Sequence, residues 1–101
     1  MEADALDGLQ QKAGEAAQFL KLIANEHRLL ILCHLAGQGE MTVTALADEV
    51  GLSQSALSQH LARLREDDLV AFRRESQTLY YRISDVRAVQ ILETMKRIFC
   101  P

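Results

Sequence analysis

The chain has 101 residues, 49% of them hydrophobic, with two cysteines, one proline and a formal charge of −3 at neutral pH. That length suits a single domain, residues 1–101, with a core small enough that self-association often adds stability. No apolar run approaches the ~20 residues needed to cross a bilayer, and the acidic opening Met1-Glu-Ala-Asp is unlike a secretory signal. A cytoplasmic protein with no membrane partner is expected, and in that compartment two cysteines exclude a structural disulfide framework.

The charge is unevenly spread. Residues 1–50 carry eight acids against three bases, whereas residues 51–82 carry Arg63, Arg65, Arg73, Arg74 and Arg82 against four acids. The middle of the chain is therefore able to face a polyanion and the front half is not.

Taken in order, Leu6, Leu9, Ala13, Ala16, Leu20 and Ile23 line one stripe of an amphipathic helix over about residues 6–24. Asn25 is a candidate N-cap for a second helix. Glu26 to Ala36 is apolar nearly all round, which predicts a buried central helix ended by Gly37 and Gly39. Thr42 caps a short third helix through Val50, and Gly51 stands where a left-handed residue is needed. Ser53 caps a fourth helix to about Asp67, so residues 42–67 form a helix-turn-helix unit. The period then changes to two, at Val70 and Phe72 and again at Leu79, Tyr81 and Ile83, separated by Arg73-Arg74-Glu75-Ser76-Gln77. This predicts a β-hairpin with a charged tip over about 69–83. Ser84 and Asp85 open a last helix, about 85–100, with the stripe Ala88, Leu92, Met95 and Phe99.

The resulting fold class is mainly α with a small β-hairpin wing: a winged helix-turn-helix with an added helix at each end. Two amphipathic terminal helices on so small a core point to a homodimer interface.

With Leu57 at zero degrees and about 100° per residue, Leu61 and Leu64 fall on the core side of the fourth helix. Ser55, Gln59, Ala62 and Glu66 fall opposite, flanked by Ser58 and Arg63. Serine and glutamine both donate and accept, which suits base edges in a major groove, and alanine permits close approach. Candidate DNA contacts are Ser53, Gln54, Ser55, Ser58, Gln59, His60 and Arg63, with Arg73, Arg74 and Gln77 from the hairpin. The two hairpin arginines are read as phosphate contacts, which set affinity without carrying sequence information.

The runs Asn25-Glu-His-Arg-Leu-Leu-Ile-Leu, Ala45-Leu-Ala, Gly51-Leu-Ser-Gln-Ser-Ala-Leu-Ser-Gln-His-Leu and Gln77-Thr-Leu-Tyr-Tyr-Arg-Ile resemble the ArsR-type winged-helix transcriptional repressors of bacteria. The resemblance covers about residues 16–100. It implies a homodimer, not an enzyme, that covers double-stranded operator DNA at an inverted repeat and leaves it when an inducer binds. Many members sense metals through a Cys-x-Cys pair on the third helix or Asp and His ligands on the last. Here the third helix has neither cysteine nor histidine, and the last has no histidine. No metal site and no cofactor are expected.

Two thiols remain. Cys33 shares a helix side with Leu29, Leu32 and Ala36, and alone reads as a small buried hydrophobe. Cys100 is next to last, where packing demands little. Both match positions used by the sulfide- and persulfide-responsive branch of the family, which implies a redox-sensing pair and a reactive sulfur species or oxidant as inducer. Lys96 and Arg97 favour the Cys100 thiolate while the negative end of its helix disfavours it, and the bases are expected to prevail. The competing readings are a metal-responsive repressor using the two cysteines, a thiol enzyme, and a winged helix that binds only protein. The thiol enzyme lacks a candidate base or cofactor loop.

Overall fold

The computed structural model describes residues 1–100. Its elements run α1 (Ala3–Ile23), α2 (Glu26–Gln38), β1 (Met41–Thr42), α3 (Val43–Val50), α4 (Gln54–Glu66), β2 (Val70–Glu75), β3 (Thr78–Ile83) and α5 (Val86–Phe99). The winged-helix class expected from the sequence is the class observed.

Local chemistry sets most boundaries. The side chains of Asn25, Thr42 and Ser53 accept from the backbone N–H groups of Arg28, Ala45 and Ala56, so each occupies an amide that the first helical turn leaves unpaired. Gly51 closes α3 at φ 71°, a left-handed position where a Cβ is strained. Gly37 does not end α2 as the spacing suggested; it lies within the helix, and Gly39 at φ 85° terminates it. Asp85 caps α5, accepting from the Arg87 N–H at 2.9 Å.

The core joins Ile31, Leu32 and Leu35 of α2, Leu46 of α3, Leu57, Leu61 and Leu64 of α4, and Leu69 and Val70 at the base of the wing. All are 2% exposed or less, so the apolar face of α4 is fixed and its opposite face is forced outward. The wing is a three-stranded sheet, order β1-β3-β2, and not the lone hairpin expected. Met41 and Thr42 pair with Tyr81 and Tyr80, which anchors the hairpin to the chain just after α2. Its turn has only two residues, Ser76 and Gln77, with Ser76 at φ 57°.

Only the last turns of α1 pack. Phe19 and Ile23 are buried, and the Arg87 guanidinium of α5 stacks on the Phe19 ring at 4.5 Å. Residues 1–15 are exposed throughout, and the radius of gyration of 15.1 Å exceeds the ~13 Å of a compact chain this size because α1 projects. Among the described residues no helix is long and apolar enough to cross a membrane.

Candidate nucleic-acid interface and thiol groove

The outward face of α4 carries Ser55, Ser58, Gln59, Ala62 and Arg63, all exposed. Not every predicted contact shares it. The Ser53 hydroxyl is engaged as the cap, and Gln54 donates through Nε2 to the Thr44 hydroxyl at 3.3 Å, joining the starts of α3 and α4.

His60 is turned aside. It is half-buried, and its ring lies 5.6 Å from that of His27 at the start of α2. Desolvation first, then the nearby His27, Arg28 and Arg63, push the His60 imidazole below its ordinary value. A histidine whose folded pKa is depressed binds fewer protons than the unfolded chain. Stability is therefore expected to fall as pH drops through about 6.5. Urea unfolding at about pH 7.5 and about pH 5.5 checks this. The His60→Asn variant should show a shallower slope, and an unchanged slope would remove His60 as its source.

The wing arginines differ from each other. Arg73 donates from Nε and Nη2 to the two carboxylate oxygens of Glu40, both at 2.9 Å, and from Nη1 to Glu75 at 2.9 Å. Its guanidinium also lies 4.4 Å above the Tyr80 ring. Arg74 makes no ion pair among the described residues, and it stands with Gln77 exposed at the tip. Sequence reasoning missed Glu40 because its partner is 33 residues away.

The two cysteines are free thiols. They line one groove of about 720 Å³ between α2 and α5, with Leu29, Ala36, Leu92, Met95, Lys96 and Phe99. Cys33 is exposed on this groove, a correction to the buried thiol read from its helix side. Of the residues on its side of α2, Leu29 and Ala36 line the groove with it, while Leu32 turns into the packed core. Desolvation by the groove walls, with the neighbouring Cys100 adding to it, still pushes the Cys33 thiol up. Less of it is thiolate than for an ordinary cysteine, which makes it the poorer first nucleophile. Among the described residues no group of three or more His, Cys, Asp or Glu is placed to hold a metal ion.

A family profile for bacterial regulatory proteins of the arsR family matches residues 25–71. The transcriptional activator HlyU of Vibrio cholerae is 43% identical over 95 residues, spanning 94% of this chain and 87% of that protein. The chain belongs to the arsR family. The nodulation protein NolR of Rhizobium meliloti is 52% identical over 84 residues, 83% of this chain and 68% of that protein. The solved repressor BigR of Xylella fastidiosa superposes with a TM-score of 0.86 at 34% identity, covering 94% of this chain and 96% of that one. These ArsR relatives include an activator and a repressor of transcription, regulators and not enzymes. The profile ends inside β2 and so includes Cys33 and α4 but not Cys100. Membership in the arsR family accordingly assigns no role to the thiol pair.

Proposed function

We propose that this ArsR-family regulator is a dimeric repressor. It holds an inverted-repeat operator when reduced and lets go when Cys33 and Cys100 of one chain become covalently linked. The observation that carries the reading is the shared groove: two free thiols, 67 positions apart in sequence, line one cleft between α2 and α5. A link there joins a terminal helix to the helix whose Ile31, Leu32 and Leu35 pack in the same core as α4, the coupling that an allosteric switch requires.

In the chemistry that fits, the Cys100 thiolate attacks the outer sulfur of a persulfide R–S–S–H. The S–S bond breaks, Cys100 becomes a persulfide, and R–S⁻ leaves and takes a proton. Cys33, once deprotonated, then attacks the Cys100 sulfur and expels hydrosulfide. The sum converts two thiols and one persulfide into a disulfide, one thiol and hydrogen sulfide. Cys100 acts first in this scheme because it stands exposed at the end of α5, whereas desolvation pushes the Cys33 thiol up.

Ser55, Ser58, Gln59 and Arg63 read bases, with Arg74 and Gln77 on the backbone. The exposed apolar stripes of α1 and α5, Leu6, Leu9 and Leu20 with Ile98 and Phe99, form the dimer surface. Two-fold symmetry would then set the α4 helices about 34 Å apart on successive major grooves.

The test uses a duplex selected from a randomised pool by the reduced protein. Persulfide treatment should release it from the unmodified protein but not from Cys33→Ser or Cys100→Ser, and intact mass should show one intramolecular link. Normal release by either variant ends the paired-thiol mechanism. Release by a thiophilic metal ion, with no covalent link, would favour the metal-responsive reading.

A further inference from the structure

Glu40 lies outside the face of α4 proposed to read DNA, yet both of its carboxylate oxygens are engaged by a residue 33 positions away. It follows Gly39, the residue that ends α2, and directly precedes β1. Both of its oxygens accept from Arg73 in a two-pronged geometry with each contact at 2.9 Å. Arg73 belongs to β2, and β3 lies between β1 and β2. The ion pair therefore crosses the middle strand, and it does so over the face of Tyr80, the residue paired with both Thr42 and Arg73. Glu75 takes the remaining side of the guanidinium from two positions along β2.

Two carboxylates engage the one Arg73 guanidinium, and Arg82 is the further cation near Glu40. A phosphate approaching the wing finds Arg73 already occupied, while Arg74 has no ionic partner among the described residues. A bidentate arginine–carboxylate pair fixes direction as well as distance, a property that a lysine or a single contact lacks.

We propose that Glu40 is a positioning residue for DNA binding: by clasping Arg73 across β3 it sets the angle of the wing, and Arg73 is part of that clasp and not a phosphate ligand. This rests on the DNA-binding reading above. Because Glu40 adjoins the end of α2, the clasp also ties the wing to the helix that carries Cys33.

The sign of one substitution separates this role from simple charge. Removing an acid beside a DNA-binding surface ordinarily tightens binding. The clasp predicts the reverse. Glu40→Gln should weaken binding to the selected duplex on the order of tenfold, the scale of a coupling exerted through another residue. The slope of log affinity against log salt should stay as in the unmodified protein. Arg73→Ala should behave the same way, and the double variant should be no weaker than Arg73→Ala alone. Arg74→Ala, in contrast, should flatten the salt slope by about one unit. Amide hydrogen exchange without DNA supplies a second readout: residues 74–78 should exchange faster in Glu40→Gln while the α2 and α4 core amides hold. Binding by Glu40→Gln as tight as the unmodified protein's or tighter, a flattened slope for Arg73→Ala, or unchanged wing exchange would overturn the proposal. If the unmodified protein enriched no sequence from the pool, the DNA reading itself would fail, and wing exchange would still decide the clasp.

Discussion

Linking Cys33 to Cys100 is expected to stabilise the folded chain by about 4 kcal/mol, because the bond closes a loop of roughly 70 residues and removes that freedom from the unfolded ensemble. For a domain this small the unfolding midpoint should rise by roughly 15 °C or more. Both thiols stand on one cleft between α2 and α5, the arrangement from which such a link would form. Thermal unfolding of the persulfide-treated protein, beside the reduced protein and treated Cys100→Ser, measures it. A shift near zero would mean that the bond is strained and that α5 must be displaced to form it. A large shift says that the DNA-free state is the more stable fold, and release is then a change of shape and not a loss of structure.

The second large effect concerns α1. Leu9 and Leu20 are 43% and 51% exposed in the protomer, on a helix that is exposed throughout as far as Glu15. Replacing both by aspartate places two charges on the surface proposed to pair, where desolvating an unpaired carboxylate costs several kcal/mol. The double variant is expected to sediment as a monomer. Its affinity for a two-half-site duplex should fall by about 10²- to 10⁴-fold, because the second recognition helix is no longer held at high effective concentration. Far-ultraviolet circular dichroism should change little, since Phe19 and Ile23, which do pack, are retained. A variant that stays dimeric and binds normally would place the dimer surface elsewhere.

Much of this architecture is legible in single residues. Thr42, Gly51 and Ser53 mark the helix-turn-helix because capping and left-handed backbone are local requirements, met by residue type and spacing alone. The Leu57, Leu61 and Leu64 stripe assigns the two faces of α4 for the same reason. What the sequence hides is non-local. β1 has two residues, too few for any period, and exists only because Tyr80 and Tyr81 lie beside it. Arg73 reads as a free cation until Glu40 is brought across the sheet. Cys33 was assigned to the core from its helical neighbours, but Leu29 and Ala36 line a groove themselves, so sharing their side means facing that groove. By helical geometry His60 sits about 60° from Leu57 and about 40° from Leu64, at the edge of the core stripe, where it meets His27.

The two-residue turn of the wing bears on when order is established. A long hairpin loop keeps its freedom until it meets DNA, and the entropy of fixing it, with about 0.5–1.5 kcal/mol for each side chain immobilised, then subtracts from affinity. Here Ser76 and Gln77 leave almost no loop to fix, and the strained backbone at Ser76 is held by the strand pairing on either side. The backbone of the tip is ordered at folding, before any DNA arrives, and only exposed side chains such as Arg74 and Gln77 remain to be fixed. In the DNA-binding reading proposed above, association would then need no backbone rearrangement at the tip.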